Sequence, residues 1–135
     1  MMGLWSRILS RMRDRRGFTL VELIMTVAII AILASIAIHL YVNLAAKGRL
    51  TKAQSEVRTI ATAVSVFEGH MGALPPNLGA LTAPATNAAG MTAGPFLAQV
   101  PTPPGGMWTP YVYLPNPDGT FAVTISGEGN TISFP

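Results

Sequence analysis

The residue types that carry out catalysis are scarce in this 135-residue chain. It has no cysteine and two histidines, His39 within an apolar run and His70 near the end of an amphipathic one. Neither position suits the base of a Ser-His-Asp triad. The sequence also lacks a Gly-x-Ser-x-Gly motif, a P-loop, a metalloprotease motif and a complete dinucleotide fingerprint. We therefore predict that the chain is not an enzyme.

Three oxygen-bearing side chains near the C-terminus are the candidates for a metal site. They are Asp118, Glu128 and Asn130, and calcium requires several oxygen ligands, usually including carboxylates. The three are few and are scattered over two turn signals, at 116–119 and 127–130. The sequence predicts two polar hairpin turns and no cofactor, with calcium binding as the alternative.

Glu22 is the single charged residue in the apolar run from Phe18 to Ile38. A carboxylate in such a run is costly unless it is paired, and it therefore indicates a functional residue. The alternative is a structural one, in which Glu22 lies at the level of the lipid headgroups and is stabilised by the positive end of the helix dipole.

The apolar run predicts a transmembrane helix. A helix over 18–44 would be about 40 Å long, enough for the ~30 Å hydrocarbon core of a bilayer. Arginines precede it, so the positive-inside rule predicts a cytoplasmic N-terminus and an exported remainder after Lys47. An ordinary secretory signal cleaved near Ala34 or Ala37 is the alternative, but the run is longer than the ~7–15 residues of such a signal.

The basic net charge belongs to the first residues of the chain. Residues 1–17 hold five arginines and one aspartate, a net charge of +4. The remainder has four basic and five acidic side chains, a net charge of −1, which accounts for the overall +3. No basic patch follows Arg58, so the charge does not predict nucleic-acid binding.

The run from Gly17 to Glu22, Gly-Phe-Thr-Leu-Val-Glu after a basic leader, resembles the class III signal of type IV pilins and type II secretion pseudopilins. The resemblance implies that a prepilin peptidase cuts after Gly17 and methylates the new amine of Phe18. It also implies that Glu22 directs assembly. Most of these proteins carry a proline where this chain has His39, so the sequence gives no basis for assuming a helix that bends or melts there.

The segment after Lys47 has the pattern of an amphipathic helix that continues the membrane helix. One face holds apolar residues at alternating spacings of three and four: Leu50, Ala53, Val57, Ile60, Val64 and Phe67. We predict one helix from Phe18 to about His70 that ends near 69–72, because Pro75 and Pro76 prevent its continuation.

The rest of the chain predicts a long connection and a small sheet. Residues 73–106 have little periodicity, and we expect an irregular segment with one helical turn near 78–81. Short β-prone runs at 111–114, 121–126 and 131–134 predict antiparallel strands. The alternation over 121–126 predicts one buried face, which we expect to cover the apolar helix face. The fold class is α+β, a long N-terminal α-helix packed on a small C-terminal antiparallel β-sheet.

Together with these patterns, the resemblance implies a leader at 1–17 that is cleaved, a transmembrane and filament-core helix at 18–46, and an exported pilin-like domain at 47–135. Loose similarities at 72–76, 94–97 and 108–113, together with the absence of cysteine, favour the major pseudopilin of a type II secretion system. The alternatives are a type IV pilus subunit for adhesion, motility or DNA uptake, and a membrane-anchored binding module that does not polymerise.

The resemblance also implies partners and a location. The partners are the prepilin peptidase, further copies of the chain with minor pilins or pseudopilins, the inner-membrane assembly platform, and membrane lipid before assembly. The location is the bacterial inner membrane, crossed once, and then a periplasmic pseudopilus or an extracellular pilus.

Overall fold

The structure, a computed structural model, describes residues 17–135 and contains one long helix and five strands in that range. The elements are α1 (Leu20–Met71), a short 3-10 helix (Leu78–Thr82), β1 (Ala85–Thr86), β2 (Thr92–Ala93), β3 (Val112–Pro115), β4 (Phe121–Gly127) and β5 (Asn130–Phe134). Of the predicted leader, 1–16 lie outside the described residues. The predicted α+β class is confirmed.

The helix α1 has clear signals at both ends. Thr19 precedes it, and the first backbone bond runs from Leu23 N–H to the Thr19 carbonyl at 3.1 Å. At the other end Gly72 has a φ of +73° and donates to the Glu68 carbonyl at 2.7 Å. A left-handed glycine after the last helical residue is a common C-terminal cap. The predicted end near 69–72 is confirmed, and the start lies two residues later than expected.

The chain divides after Tyr41 into two units. In the first, every side chain from Phe18 to Tyr41 is exposed, including all the large apolar ones. The second unit, Val42–Pro135, contains the hydrophobic core.

The core lies between one face of α1 and the three-stranded sheet. The helix buries Ala53, Val57, Ile60, Ala61, Ala63, Val64 and Phe67. Against these pack buried residues from the connection and the sheet: Leu81, Leu97, Trp108, Tyr111, Phe121, Val123 and Ile125. The predicted apolar helix face is therefore confirmed, with Leu50 only partly buried at its edge.

The sheet has the order β3-β4-β5, and both pairs are antiparallel. Val112 lies opposite Thr124, and Ile125 lies opposite Ile132. Along β4 the alternate residues Phe121, Val123 and Ile125 are buried, as a strand with one face on a core requires. The three predicted strands and the buried face of β4 are confirmed to within one residue at each end.

The connection between α1 and the sheet is more ordered than the sequence predicts. The helical turn near 78–81 is present as the 3-10 helix, whose cap Asn77 accepts a hydrogen bond from Ala80 N–H at 3.0 Å. The expectation of otherwise irregular structure was wrong at 85–93, where β1 and β2 form a hairpin. Asn87 Nδ2 donates to the His70 carbonyl at 3.2 Å, and this hydrogen bond connects the hairpin to the C-terminal end of α1.

Candidate processing and assembly site

Gly17 and Phe18 lie outside α1, in backbone without regular structure. The Phe18 side chain is 80% exposed, and a Cβ added at Gly17 would meet nothing within 4 Å. The fold itself therefore has room for a larger residue at position 17. Any requirement for glycine there would come from another protein that closes around this peptide bond.

Thr19 separates this bond from the helix. Its Oγ1 accepts a hydrogen bond from the Glu22 N–H at 3.2 Å. This is the contact that an N-cap residue makes with the third residue of a helix. Sequence reasoning missed it, although a threonine three residues before a glutamate is the spacing of a capping box. The cap fixes Phe18 as a non-helical residue and Glu22 as a member of the first turn.

Glu22 lies at the end of α1 where unpaired N–H groups give the helix its positive pole. Its own carbonyl accepts a hydrogen bond from Thr26 Oγ1 at 2.7 Å. Ion pairs within the described range join Arg49 to Glu128 and Lys52 to Glu56, and Glu22 takes part in neither. The Glu22 carboxylate is thus exposed and takes part in no ion pair with residues 17–135 of its own chain.

The helix beyond Glu22 presents a continuous apolar surface. All side chains of 20–44 are exposed, and the most apolar part of α1 has a mean hydropathy of 2.6. By length and composition α1 can cross a membrane. This segment and the motif before it fit a membrane-anchored protein.

His39 lies within this apolar segment and does not interrupt it. Its Nδ1 is 3.0 Å from the Ser35 carbonyl, one turn earlier in the helix. A proline at position 39 would have left that carbonyl without its helical partner. Here the carbonyl has an additional side-chain partner, and α1 continues unbroken to Met71.

The structure does not bring the three calcium candidates together. Asp118 lies in the turn between β3 and β4, where it accepts hydrogen bonds from Thr120 Oγ1 at 2.7 Å and Thr120 N–H at 2.9 Å. These bonds lower the pKa of Asp118. Glu128 lies at the other end of β4 with Asn130, whose Nδ2 donates to the Glu128 carbonyl at 3.1 Å. The carboxylate of Glu128 accepts from Arg49 Nε at 2.6 Å. A set of ligands split over the two ends of a strand does not fit one calcium ion.

Comparison with known proteins bears on the same two parts of the chain. Residues 12–38 match the family described as "Prokaryotic N-terminal methylation motif". Residues 41–132, which make up most of the second unit, match the family described as "Type II secretion system (T2SS), protein G". The chain belongs to the protein G family of type II secretion systems. The resemblance inferred from Gly17–Glu22 is thereby confirmed at the level of the family.

The curated relatives are fimbrial proteins. A "Fimbrial protein" of Pseudomonas aeruginosa is 47% identical over 60 residues, which are 43% of this chain and 39% of that protein. A "Type IV major fimbrial protein FimA" of Dichelobacter nodosus is 46% identical over 60 residues, 43% of this chain and 38% of that protein. A "Type IV major alpha-pilin" of Moraxella bovis is 42% identical over the same length and shares. The chain thus spans about two fifths of these relatives. No solved structure gives a significant match.

These matches relate the protein G family member to pilins and fimbrial proteins. Pilins and pseudopilins are structural proteins and not enzymes, so the corresponding prediction is confirmed. The methylation motif implies processing by a prepilin peptidase.

Proposed function

We propose that the chain is the major pseudopilin of a type II secretion system, the principal subunit of a short periplasmic filament that helps to expel secreted proteins. The observation that carries this proposal is the match to protein G over residues 41–132, because it covers nearly the whole of the second unit.

The geometry at the start of α1 supports processing at Gly17. The bond between Gly17 and Phe18 is exposed and non-helical, as a bond must be to enter a peptidase. Cleavage there leaves a free amine on Phe18, which the same enzyme methylates. The segment 18–46 then anchors the subunit in the inner membrane with its N-terminus on the cytoplasmic side, since the arginines precede it.

Assembly depends on Glu22 in this proposal. After cleavage the amine of Phe18 is a fixed positive charge, and the carboxylate of Glu22 in a neighbouring subunit is its natural partner. Within lipid or a filament interior the two charges attract strongly, while either one alone is penalised by several kcal/mol. The pair therefore sets the axial offset between subunits, and the exposed apolar surfaces of α1 pack together to form the shaft.

The alternative is a type IV pilus subunit used for adhesion, motility or DNA uptake. It is favoured by the relatives of 42–47% identity, all of which are named as fimbrial proteins or pilins.

Deletion of the gene, with complementation by the wild-type chain, distinguishes these functions. For the pseudopilin, the deletion strain should retain secreted proteins in the periplasm and keep its surface pili. Loss of surface pili with normal secretion would replace the first proposal by the alternative. If both phenotypes are normal and no filament can be sheared from complemented cells, the chain is a membrane-anchored module that does not polymerise.

A further inference from the structure

The second unit begins to cover α1 at Ala45. Every side chain of 18–44 is exposed, Ala34 and Ala37 among them, whereas Ala45 and Ala46 are half-buried. Because these alanines have the same small side chain on the same helix, the difference shows that other parts of the second unit lie over α1 from Ala45 onward. The end of the second unit at which α1 enters it is therefore near this residue.

Two loops of the second unit lie at this end, beside Arg49. The turn between β4 and β5 reaches it through the ion pair of Glu128 with Arg49. The loop 105–107 reaches it as well, since a Cβ added at Gly106 would lie 3.2 Å from Glu128 Oε1 and 3.8 Å from Arg49 Nε. We call the following residues the rim of the second unit: Lys47, Arg49, the loop 105–107 and the turn 127–130.

Met107 projects from the rim into solvent. Its side chain is 80% exposed, more than any other large apolar side chain of residues 42–135. The residues on both sides of it are held in place, because Gly106 lies beside the ion pair and Trp108 is buried against Gly127. The exposure of Met107 therefore belongs to an anchored loop. A long apolar side chain held out in water gains free energy when it enters an apolar phase.

The rim carries one cation without a partner. Lys47 is exposed and takes no part in the ion pairs of residues 17–135. The carboxylate of the rim, that of Glu128, is neutralised by Arg49. Two cations and one carboxylate give the rim a net charge of +1. A cation close to a projecting apolar side chain is the combination that binds a lipid surface with anionic headgroups.

The length of the apolar segment matches a rim at the membrane surface. A helix over 18–44 is about 40 Å long, and a bilayer is ~30 Å thick in its hydrocarbon core and ~40–45 Å thick with its headgroup regions. With the start of this helix at the cytoplasmic face, Ala45 reaches the headgroups of the opposite face. Tyr41 lies one turn earlier and is 73% exposed, and aromatic residues are enriched at this interface.

We propose that the rim rests on the periplasmic surface of the inner membrane before assembly, with Met107 inserted below the headgroups and Lys47 paired with their phosphates. This inference rests on the proposed function, because a subunit anchored by 18–46 holds its rim at the lipid. The contact is additional to the membrane helix, since it engages the second unit itself. It fixes the rotation of the second unit about α1, and it must break when the subunit leaves the bilayer.

The accessibility of a fluorescent label tests the contact. The wild-type chain has no cysteine, so M107C accepts a single environment-sensitive fluorophore. The full-length protein is placed in nanodiscs of phosphatidylethanolamine and phosphatidylglycerol, one chain in each disc, where both membrane faces are open to the aqueous quencher iodide. Iodide should quench the label at position 107 at least about threefold less than the same label at position 91, and lipids brominated on their acyl chains should quench it efficiently.

The variant M91C is the matched control. Met91 is also an exposed methionine outside the helices. Its carbonyl is 3.1 Å from His70 Nε2, and His70 is about 30 Å further along α1 than Arg49. A label at position 91 should therefore be fully open to iodide and insensitive to the brominated lipids.

Substitution of the rim's free cation tests its part in the contact. Lys47→Gln should lower the ratio of inserted to exposed label at position 107 about fivefold, because the attraction of one lysine to anionic headgroups is lost. Lys52→Gln is the control, since Lys52 is paired with Glu56, and it should leave the ratio unchanged. Equal effects of the two substitutions would overturn the role of Lys47.

The remaining outcomes separate this contact from the proposed function. Full iodide quenching at position 107, with a label on L33C protected, would overturn the rim contact and leave the proposed function intact. Full quenching on L33C as well would show that 18–46 does not enter the bilayer, and would overturn both. Protection at position 107 in sheared filaments, but not in nanodiscs, would make a second copy the occupant in place of lipid and would overturn the proposal.

Discussion

Arg49 Nε lies 2.6 Å from Glu128 Oε1, an ion pair between residues 79 positions apart in the chain. The two side chains are 34% and 18% exposed, so the pair is partly shielded from water. Lys52 and Glu56 form the other ion pair in the described range, within one helix and at 3.6 Å.

The longer-range pair should contribute more to stability. Arg49→Met keeps the apolar stem but leaves Glu128 half-buried without its partner, and should lower the free energy of unfolding by about 1–2 kcal/mol. Lys52→Met is the matched control and should cost about 0.5 kcal/mol or less. Urea unfolding of the detergent-solubilised full chain measures both, and equal effects would contradict the prediction.

Tyr111 should make the unit sensitive to alkali. The ring is buried, its hydroxyl donates to Glu56, and its pKa is raised by burial first and then by the Glu56 carboxylate. In the unfolded chain the phenol ionises near its usual value of about 10. The pKa of Tyr111 is higher in the folded protein than in the unfolded chain. The stabilisation that the neutral phenol contributes is therefore fully present below pH ~10 and is lost as the pH rises above it.

Substitution by phenylalanine tests this linkage. Tyr111→Phe should cost about 1 kcal/mol at neutral pH through the lost hydrogen bond. It should also make the melting temperature fall less steeply above pH ~10 than it does in the wild type. Parallel curves for the two proteins in alkali would show that Tyr111 ionises equally in both states.

Gly127 is required by contact with Trp108. A Cβ at position 127 would lie 2.5 Å from the Trp108 ring and 2.7 Å from its Cα, and Trp108 is buried. Gly127→Ala should therefore destabilise the unit by about 1–3 kcal/mol, as overpacking does. Gly69→Ala is the control, since an added Cβ there meets nothing within 4 Å. In a helix this change should stabilise by up to about 1 kcal/mol. Thermal unfolding compares the two, and a neutral Gly127→Ala would refute the prediction.

Processing at Gly17 should depend on the peptidase and not on the fold. Intact-mass analysis of the membrane-extracted protein should give a chain that begins at methylated Phe18. Gly17→Ala should leave the melting temperature unchanged, because position 17 has open space, and should leave most of the protein uncleaved. A mature chain that starts after Ala34 or Ala37 would indicate an ordinary secreted protein.

Glu22 should be needed for assembly and not for membrane insertion. Glu22→Gln keeps the size of the side chain and the backbone N–H that Thr19 caps, but removes the charge. It should behave like Glu22→Ala, with normal cleavage and localisation and a loss of sheared filament of at least about tenfold, equivalent to ~1.4 kcal/mol. Glu22→Asp should be partly active. Normal filaments from the glutamine and alanine variants would rule out pairing with the Phe18 amine.

The parts of the fold with strong periodicity were predictable from the sequence. The apolar face from Ala53 to Phe67 and the alternation of Phe121, Val123 and Ile125 identified both sides of the core. Each pattern repeats often enough to establish its period. The hairpin of β1 and β2 was not predictable, because strands of two residues have no measurable alternation and are held by tertiary contacts such as Asn87 to His70.

The sequence motif proposes the residues of the candidate site but does not give their arrangement. The roles of Gly17, Phe18 and Glu22 come from the motif and stay predictions. The capping role of Thr19 was overlooked although its spacing was visible. The partnership of Arg49 and Glu128 has no sequence signal, since it depends on how the sheet folds back on α1. The same pairing removed Glu128 from the calcium candidates.

The polar contacts between α1 and the rest of the second unit occur at three separate levels along the helix. They involve Arg49, Glu56 and His70, whose Nε2 is 3.1 Å from the Met91 carbonyl. A force applied along the axis of α1 acts on all three polar contacts and on the apolar core in shear. If α1 slid by a single turn of about 5.4 Å, the three contacts would break at once. Tension entering the unit at Val42 is consequently shared among parallel attachments instead of peeling them off one after another.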